Sequence, residues 1–142
     1  MVALLDGARG NVAVIRFQDS TKTPSYFHRL VGGSINCGEK ASAAATREVE
    51  EELGIVLPHV ELLGVVENIF EFRGERGHEI VFIFRADVVR CTVPAAGAWY
   101  TDEGRPMWVE WRSLIAPPAL PLYPDGAAEL IAAAAPSRGP VT

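Results

Sequence analysis

The apolar positions fall first into two short runs, Val2 to Leu5 and Asn11 to Phe17, separated by Asp6-Gly7-Ala8-Arg9-Gly10. Two β-prone runs around a polar, glycine-bounded turn predict a hairpin. Gln18 to Ser25 is polar and predicts a loop, and Tyr26 to Val31 predicts a short strand running into paired glycines. From Lys40 to Leu53 the period changes. Ala41, Ala45, Val49 and Leu53 recur every fourth residue, which sets them on one helical stripe, and Gly54 follows where a helix ends in a left-handed residue. Two longer runs come next, Val60 to Phe72 and Ile80 to Val89, with Arg73-Gly74-Glu75-Arg76-Gly77 between them as a second hairpin turn. Cys91 to Arg105 predicts a loop, Met107 to Trp111 a strand, and Pro117 to Pro124 a segment held extended by its prolines. Asp125 to Ala135 predicts a helix and Pro136 to Thr142 a frayed tail. Strands and helices alternate without a repeat, so residues 1–135 read as one α/β domain with a mixed sheet and helices on its faces.

Composition agrees with a single domain: 142 residues, 49% hydrophobic and 22% charged, are enough to bury a core. No apolar stretch approaches the roughly 18 to 20 residues of a bilayer span, and Asp6 and Arg9 interrupt the region where a signal peptide would be apolar. A cytoplasmic protein that does not enter the membrane is expected. Two cysteines, Cys37 and Cys91, support neither a disulfide framework nor a thiolate zinc site and are expected to be reduced. The net charge of −5 argues against a broad phosphate-tracking surface, so no nucleic acid is expected as a partner. A polyanionic ligand would need a cation to help it bind.

The acidic residues supply the chemistry. Five of the 18, Glu39, Glu48, Glu50, Glu51 and Glu52, cluster just after the glycine-rich turn Gly32-Gly33-Ser34-Ile35-Asn36-Cys37-Gly38. At about 100° per residue, Glu48, Glu51 and Glu52 share one side of the helix while Glu50 lies nearly opposite. The stripe of Ala45, Val49 and Leu53 overlaps the angular position of Glu52, which carries that carboxylate to the edge of the buried face. Three such acids repel one another, and partial burial raises their pKa unless a cation compensates. Arg47, one turn before Glu51, can serve one of them, whereas Glu48 and Glu52 have no local basic partner. A divalent cation that prefers oxygen, Mg²⁺ or Mn²⁺, is the natural counter-ion. A solvated glutamate face is the plainer alternative, but it would not place Glu52 over Ala45 and Val49.

The spacing then resembles a known family. Gly33, five residues, Glu39, seven residues, and Arg47-Glu48-Val49-Glu50-Glu51-Glu52-Leu53-Gly54-Ile55 fill every fixed position of the Nudix box, over 23 residues. The flanking strand order and the strand containing Trp108 and Trp111 also look like that family. Val31 stands where the family commonly has proline before the glycines. The resemblance implies an α/β/α sandwich with a mixed β-sheet and a loop-helix-loop catalytic platform. It implies an Mg²⁺-dependent or Mn²⁺-dependent pyrophosphohydrolase, cleaving a phosphoanhydride in a nucleoside diphosphate linked to another moiety. By the same resemblance Glu48, Glu51 and Glu52 are metal ligands or base, the Gly33 carbonyl is a further ligand, Arg47 orients the glutamates, and Glu39 and Gly32 support the turn. Glu51 is favoured as general base because Arg47 would hold it oriented, with Glu79 as its rival from outside the box. A homodimer is also an expectation from the resemblance.

Weaker features bound this reading. Gly33 to Lys40 is a near miss for a phosphate-binding P-loop, since Glu39 stands where lysine is required. His78-Glu79 starts like a zinc-protease motif, but Phe82 replaces the second histidine. His28 and His59 are expected at the surface or the edge of the core. Trp108 and Trp111, three residues apart in a strand, cannot share a face. Trp99 and Tyr100, in what reads as a glycine-flanked loop, are the candidates for stacking on a base. Two other readings stand beside hydrolysis: a catalytically silent nucleotide-binding sensor or interaction module, and an isoprenoid diphosphate isomerase, for which no cysteine-glutamate pair is evident.

Overall fold

The computed structural model describes residues 1–7, 10–88 and 93–134. Its strands are β1 (Val2–Asp6), β2 (Asn11–Gln18), β3 (Tyr26–Leu30), β4 (Glu61–Phe72), β5 (Glu75–Asp87), β6 (Ala98–Asp102), β7 (Arg105–Ser113) and β8 (Leu122–Tyr123). Helix α1 spans Ala41–Leu53 and α2 spans Ala127–Ala134. The eight strands form one mixed sheet in the order β4-β5-β1-β2-β3-β8, and β7 joins it by pairing with β2 and carries β6 on its other side. Most ladders are antiparallel, but β1 runs parallel to β5 and β3 parallel to β8. Strand β2 meets three neighbours in succession, pairing with β1 near Val12, with β3 from Val14 onward, and with β7 along most of its length. A strand shared in this way forces the sheet to curl.

Each face of the sheet carries its own core, as the alternation of side chains dictates. On one side Val2, Leu4, Ala13, Ile15 and Val109 pack against Ala45, Val49 and Leu53 of α1. On the other Ala3, Leu5, Val12, Val14 and Ile83 pack against Ala127 and Ile131 of α2. The chain is thus the α/β/α sandwich expected from its sequence. Helix α1 ends as read: Gly54 adopts φ 69°, and its N–H donates to the Glu50 carbonyl.

Three features differ from the sequence reading. The β4–β5 hairpin turns on Arg73 and Gly74 alone, with Arg73 at φ 51°, so Glu75, Arg76 and Gly77 belong to β5. Trp99 and Tyr100 are not in a loop but in β6, a strand that pairs with β7 through Trp99 opposite Trp108 and Tyr100 opposite Met107. The proline-rich segment yields the short strand β8, which pairs with β3. Residues 135–142, read as helix end and tail, and Cys91 lie outside the described residues. Among the described residues no helix is long and apolar enough to cross a membrane.

Candidate active site

Helix α1 and the loop before it form a platform whose parts are tied together by one side chain. Arg47 donates from Nε and Nη2 to the two oxygens of Glu39, both at 2.8 Å, and from Nη2 to the Ser34 carbonyl at 3.1 Å. Its Nη1 reaches Glu48 at 2.9 Å and Glu51 at 3.1 Å. A planar guanidinium can serve three carboxylates and a carbonyl at once. This corrects the expectation that Glu48 lacks a basic partner, because a neighbour at i+1 lies within reach when the arginine lies along the helix surface. The Arg47 guanidinium, with the Asn36 N–H, holds the Glu39 carboxyl down at about 2.

Glu48 and Glu52 lie toward the inner side of the platform. The backbone of Gly33 runs directly against the Glu48 carboxylate, so that a Cβ at position 33 would stand 2.6 Å from it. Gly32, at φ 141°, is packed on the Met1 backbone and leaves no room for a side chain. Glu52 is 5% exposed, as its overlap with the apolar stripe implied. Burial pushes its carboxyl up to about 7, an effect that Arg29 opposes and Asp102 and Glu48 reinforce. Its Oε2 is buried with no hydrogen-bond partner. Glu51, by contrast, is well exposed beyond Arg47. Among the described residues no three acidic, imidazole or thiol groups are already gathered into a closed ligand set. The residues nonetheless fit a hard divalent cation: an orphaned buried carboxylate oxygen, a second carboxylate seated on a glycine backbone, and donors that are all oxygen.

Glu79 sits apart from α1 on β5, where Asn68 Nδ2 donates to its Oε1 at 3.0 Å. It borders two cavities. One, of about 370 Å³, opens over Gly32, Gly33 and Glu48. The other, of about 130 Å³, is a slot walled by Phe17, Phe27, Phe72 and Tyr123, with Lys22 and Arg29 at its margins. Phe17 and Phe27 stack at 5.6 Å, and Phe72 and Tyr123 stand edge-on to Phe27. Arg29 borders both cavities, lies 4.9 Å over the Phe17 ring, and donates to the Gly32 carbonyl at 3.2 Å, while its buried Nε has no partner.

The structure separates the two aromatic candidates. As neighbours in β6, Tyr100 packs on the α1-side core while Trp99 faces the other way, 69% exposed and 5.2 Å from Trp108. Trp108 and Trp111 likewise point to opposite faces, with Trp111 against the core. His28 is buried between Glu110 and Arg112, at 3.4 Å and 3.0 Å, a core-edge role. His78 pairs with Glu67 on β4 at 3.1 Å.

Besides Lys22 and the aromatic rings of the slot, three residues at the site escaped the sequence reading: Arg29, Asn68 and Asp19. Asp19 is 1% exposed and accepts from Thr21 and from the Arg73 N–H at 2.8 Å, which ties the loop carrying Lys22 to the turn after Phe72. A polar Asn68 on the same strand parity as Val66 and Phe70 was a visible signal. Nothing in the local pattern marked the other two.

Comparison with known proteins agrees with this architecture. The NUDIX domain pattern matches residues 1–133, and the chain belongs to that family. It is 40% identical over 60 residues to an ADP-ribose pyrophosphatase of Methanocaldococcus jannaschii, a stretch covering 42% of this chain and 34% of the relative. It is 38% identical over 79 residues to an oxidized purine nucleoside triphosphate hydrolase of Danio rerio, covering 56% and 46%. The matches therefore span less than half the length of these two relatives. Among solved structures, a MutT NUDIX hydrolase from Burkholderia pseudomallei superposes with a TM-score of 0.56 at 25% identity, over 84% of each chain. The E. coli ORF135 protein, at 20% identity and TM-score 0.59 over 99% and 92%, shares the fold.

Proposed function

We propose that this protein is a pyrophosphohydrolase that cleaves a phosphoanhydride bond in a nucleoside diphosphate linked to another moiety, with Mg²⁺ or Mn²⁺ as cofactor. The observation that carries this reading is the buried, unpartnered carboxylate oxygen of Glu52 one helical turn from Glu48, whose own carboxylate rests on Gly33 and borders a cavity that Arg29 and Glu79 share with an aromatic slot. The activities for which the two relatives are named, a pyrophosphatase and a nucleoside triphosphate hydrolase, belong to the same reaction class.

Glu48, Glu52, Glu51 and the Gly33 carbonyl would hold the cation. When bound, it supplies neutralisation of the phosphate oxygens and of charge developing at phosphorus. The chain's own residues do the rest. Arg47 keeps the glutamates in register with the Gly33 turn. Phe17, Phe27, Phe72 and Tyr123 offer aromatic walls against which a planar base would stack. Arg29 and Lys22 present cations to phosphate at the slot's margins. A base must then take a proton from the attacking water. Glu79, fixed by Asn68 and bordering both cavities, is better placed for this than Glu51, which is more exposed and already engaged with Arg47. A silent nucleotide-binding module would gain nothing from burying Glu52 at a cost in stability.

The test is a panel of nucleoside diphosphate derivatives incubated with Mg²⁺ or Mn²⁺ and scored by mass, with ¹⁸O-water marking the phosphorus attacked. Cleavage of an anhydride that Glu52→Gln abolishes supports the reading. Tight nucleotide binding without any product at saturating Mg²⁺ overturns it in favour of a sensor.

A further inference from the structure

A groove much larger than the aromatic slot crosses the end of the sheet where β2, β3, β6 and β7 and the β4–β5 turn come together. Its volume is about 960 Å³. Its walls carry four arginines, Arg16, Arg29, Arg73 and Arg105, against the single acid Asp102. In a chain of net charge −5 this is a local reversal of sign. The arginines are interleaved with rings: Arg16 lies 5.6 Å over Tyr26, Arg73 lies 4.8 Å over Phe72, and Trp99 and Trp108 meet edge to face. Arg105 is exposed and has no ion-pair partner among the described residues.

The groove is continuous with the aromatic slot of the proposed site. Phe17, Arg29 and Phe72 are walls common to slot and groove. A phosphate chain that leaves the slot past Arg29 therefore enters a cationic channel ending at an exposed indole. Nucleoside triphosphates have nothing to place there.

We infer that this groove binds the far half of the substrate, a second nucleoside carried on the same polyphosphate, with its base on Trp99 and Trp108 and its phosphates against Arg16, Arg73 and Arg105. The substrate class is then the dinucleoside polyphosphates, and the inference rests on the pyrophosphohydrolase reading. In the reaction water adds across one P–O–P bridge. Its oxygen bonds to one phosphorus, the bridging oxygen leaves with the other, and two nucleotides are released with the displaced proton.

The experiment compares diadenosine tetraphosphate with adenosine triphosphate, as kcat/KM with Mg²⁺ and as binding of their methylene-bridged analogues read by tryptophan fluorescence. Wild type is expected to prefer the dinucleotide in both measures. In Trp99→Ala that preference falls roughly 5- to 100-fold, the range for losing one stacked base, and Arg105→Glu lowers it too. Because Trp99 is exposed, its truncation opens no core, which circular dichroism verifies. A wild type with no preference, or a preference that survives both substitutions, overturns the inference. If wild type cleaves no anhydride yet binds the dinucleotide analogue in a Trp99-dependent way, the hydrolase reading fails and the groove assignment stands.

Discussion

Gly33 and Glu48 are in direct contact, glycine backbone against carboxylate, and a single methyl group between them would come within 2.6 Å of the acid. Gly33 has no positive φ, so alanine is not excluded by the backbone. What it meets is the Glu48 carboxylate, which must swing aside to make room. Gly33→Ala should therefore fold with an unchanged far-ultraviolet spectrum while kcat for the preferred anhydride falls at least tenfold to a hundredfold, because the displaced carboxylate loses its place. Full activity in that variant would mean that Glu48 has no fixed role.

Arg47→Lys separates charge from geometry. The lysine keeps the positive charge but cannot span Glu39, Glu48, Glu51 and the Ser34 carbonyl together. The expected result is a fall in kcat of roughly a hundredfold with KM little changed, as for a residue that orients others. A variant with near-wild-type kcat would show that charge alone suffices.

The same arginine sets an acid limit on stability. Glu39 titrates at about 2 in the folded protein, against an ordinary 4.5. A lowered folded-state pKa gives stabilisation that is complete above the ordinary value and is lost as pH falls through the folded one. The thermal midpoint should thus drop between pH 4.5 and 2, and Glu39→Gln should show a shallower loss over that window. Parallel curves for the two proteins would sever the link.

Glu52 has the opposite sign. Its folded value of about 7 lies above the ordinary 4.5. Burial consequently costs nothing below pH 4.5, costs more as pH rises to 7, and carries its full penalty above that. Without divalent ions, Glu52→Gln should melt several degrees higher than wild type at pH 8 and at the same temperature at pH 4. Added Mg²⁺ or Mn²⁺ should raise the wild-type midpoint and leave the variant unmoved. An equal shift in both proteins would place the cation elsewhere.

Tyr123 closes the aromatic slot from the short strand β8, edge-on to Phe27 at 5.3 Å. Tyr123→Ala should raise KM for a nucleotide substrate roughly 5- to 100-fold and change kcat by less than about threefold, the signature of lost stacking. A change confined to kcat would argue against a base in the slot.

What the sequence revealed and what it hid follow from range. The platform was legible because its contacts are local: the stripe of Ala45, Val49 and Leu53, the overlap of Glu52 with it, the Arg47–Glu51 spacing and the Gly54 stop all lie within four residues of a partner. Strand β6 was missed because Ala98–Asp102 is short, follows Gly97 and is stabilised by β7, not by its own pattern. Arg29 and Asp19 were missed because their roles exist only after distant segments meet, as when Asp19 receives the N–H of Arg73. Tyr123 was hidden by the prolines around it.

The placement of β1 has a consequence for biosynthesis. Val2 to Leu5 join to residues Phe84 to Asp87 as well as to the adjacent hairpin strand. On the ribosome this strand must therefore wait, one edge uncapped, until Asp87 has emerged, and the α1 segment is made before the surface it rests on is complete. Truncated nascent chains ending before β5 would carry the whole glutamate platform on an incomplete floor that lacks Phe84, Ala86 and Val109.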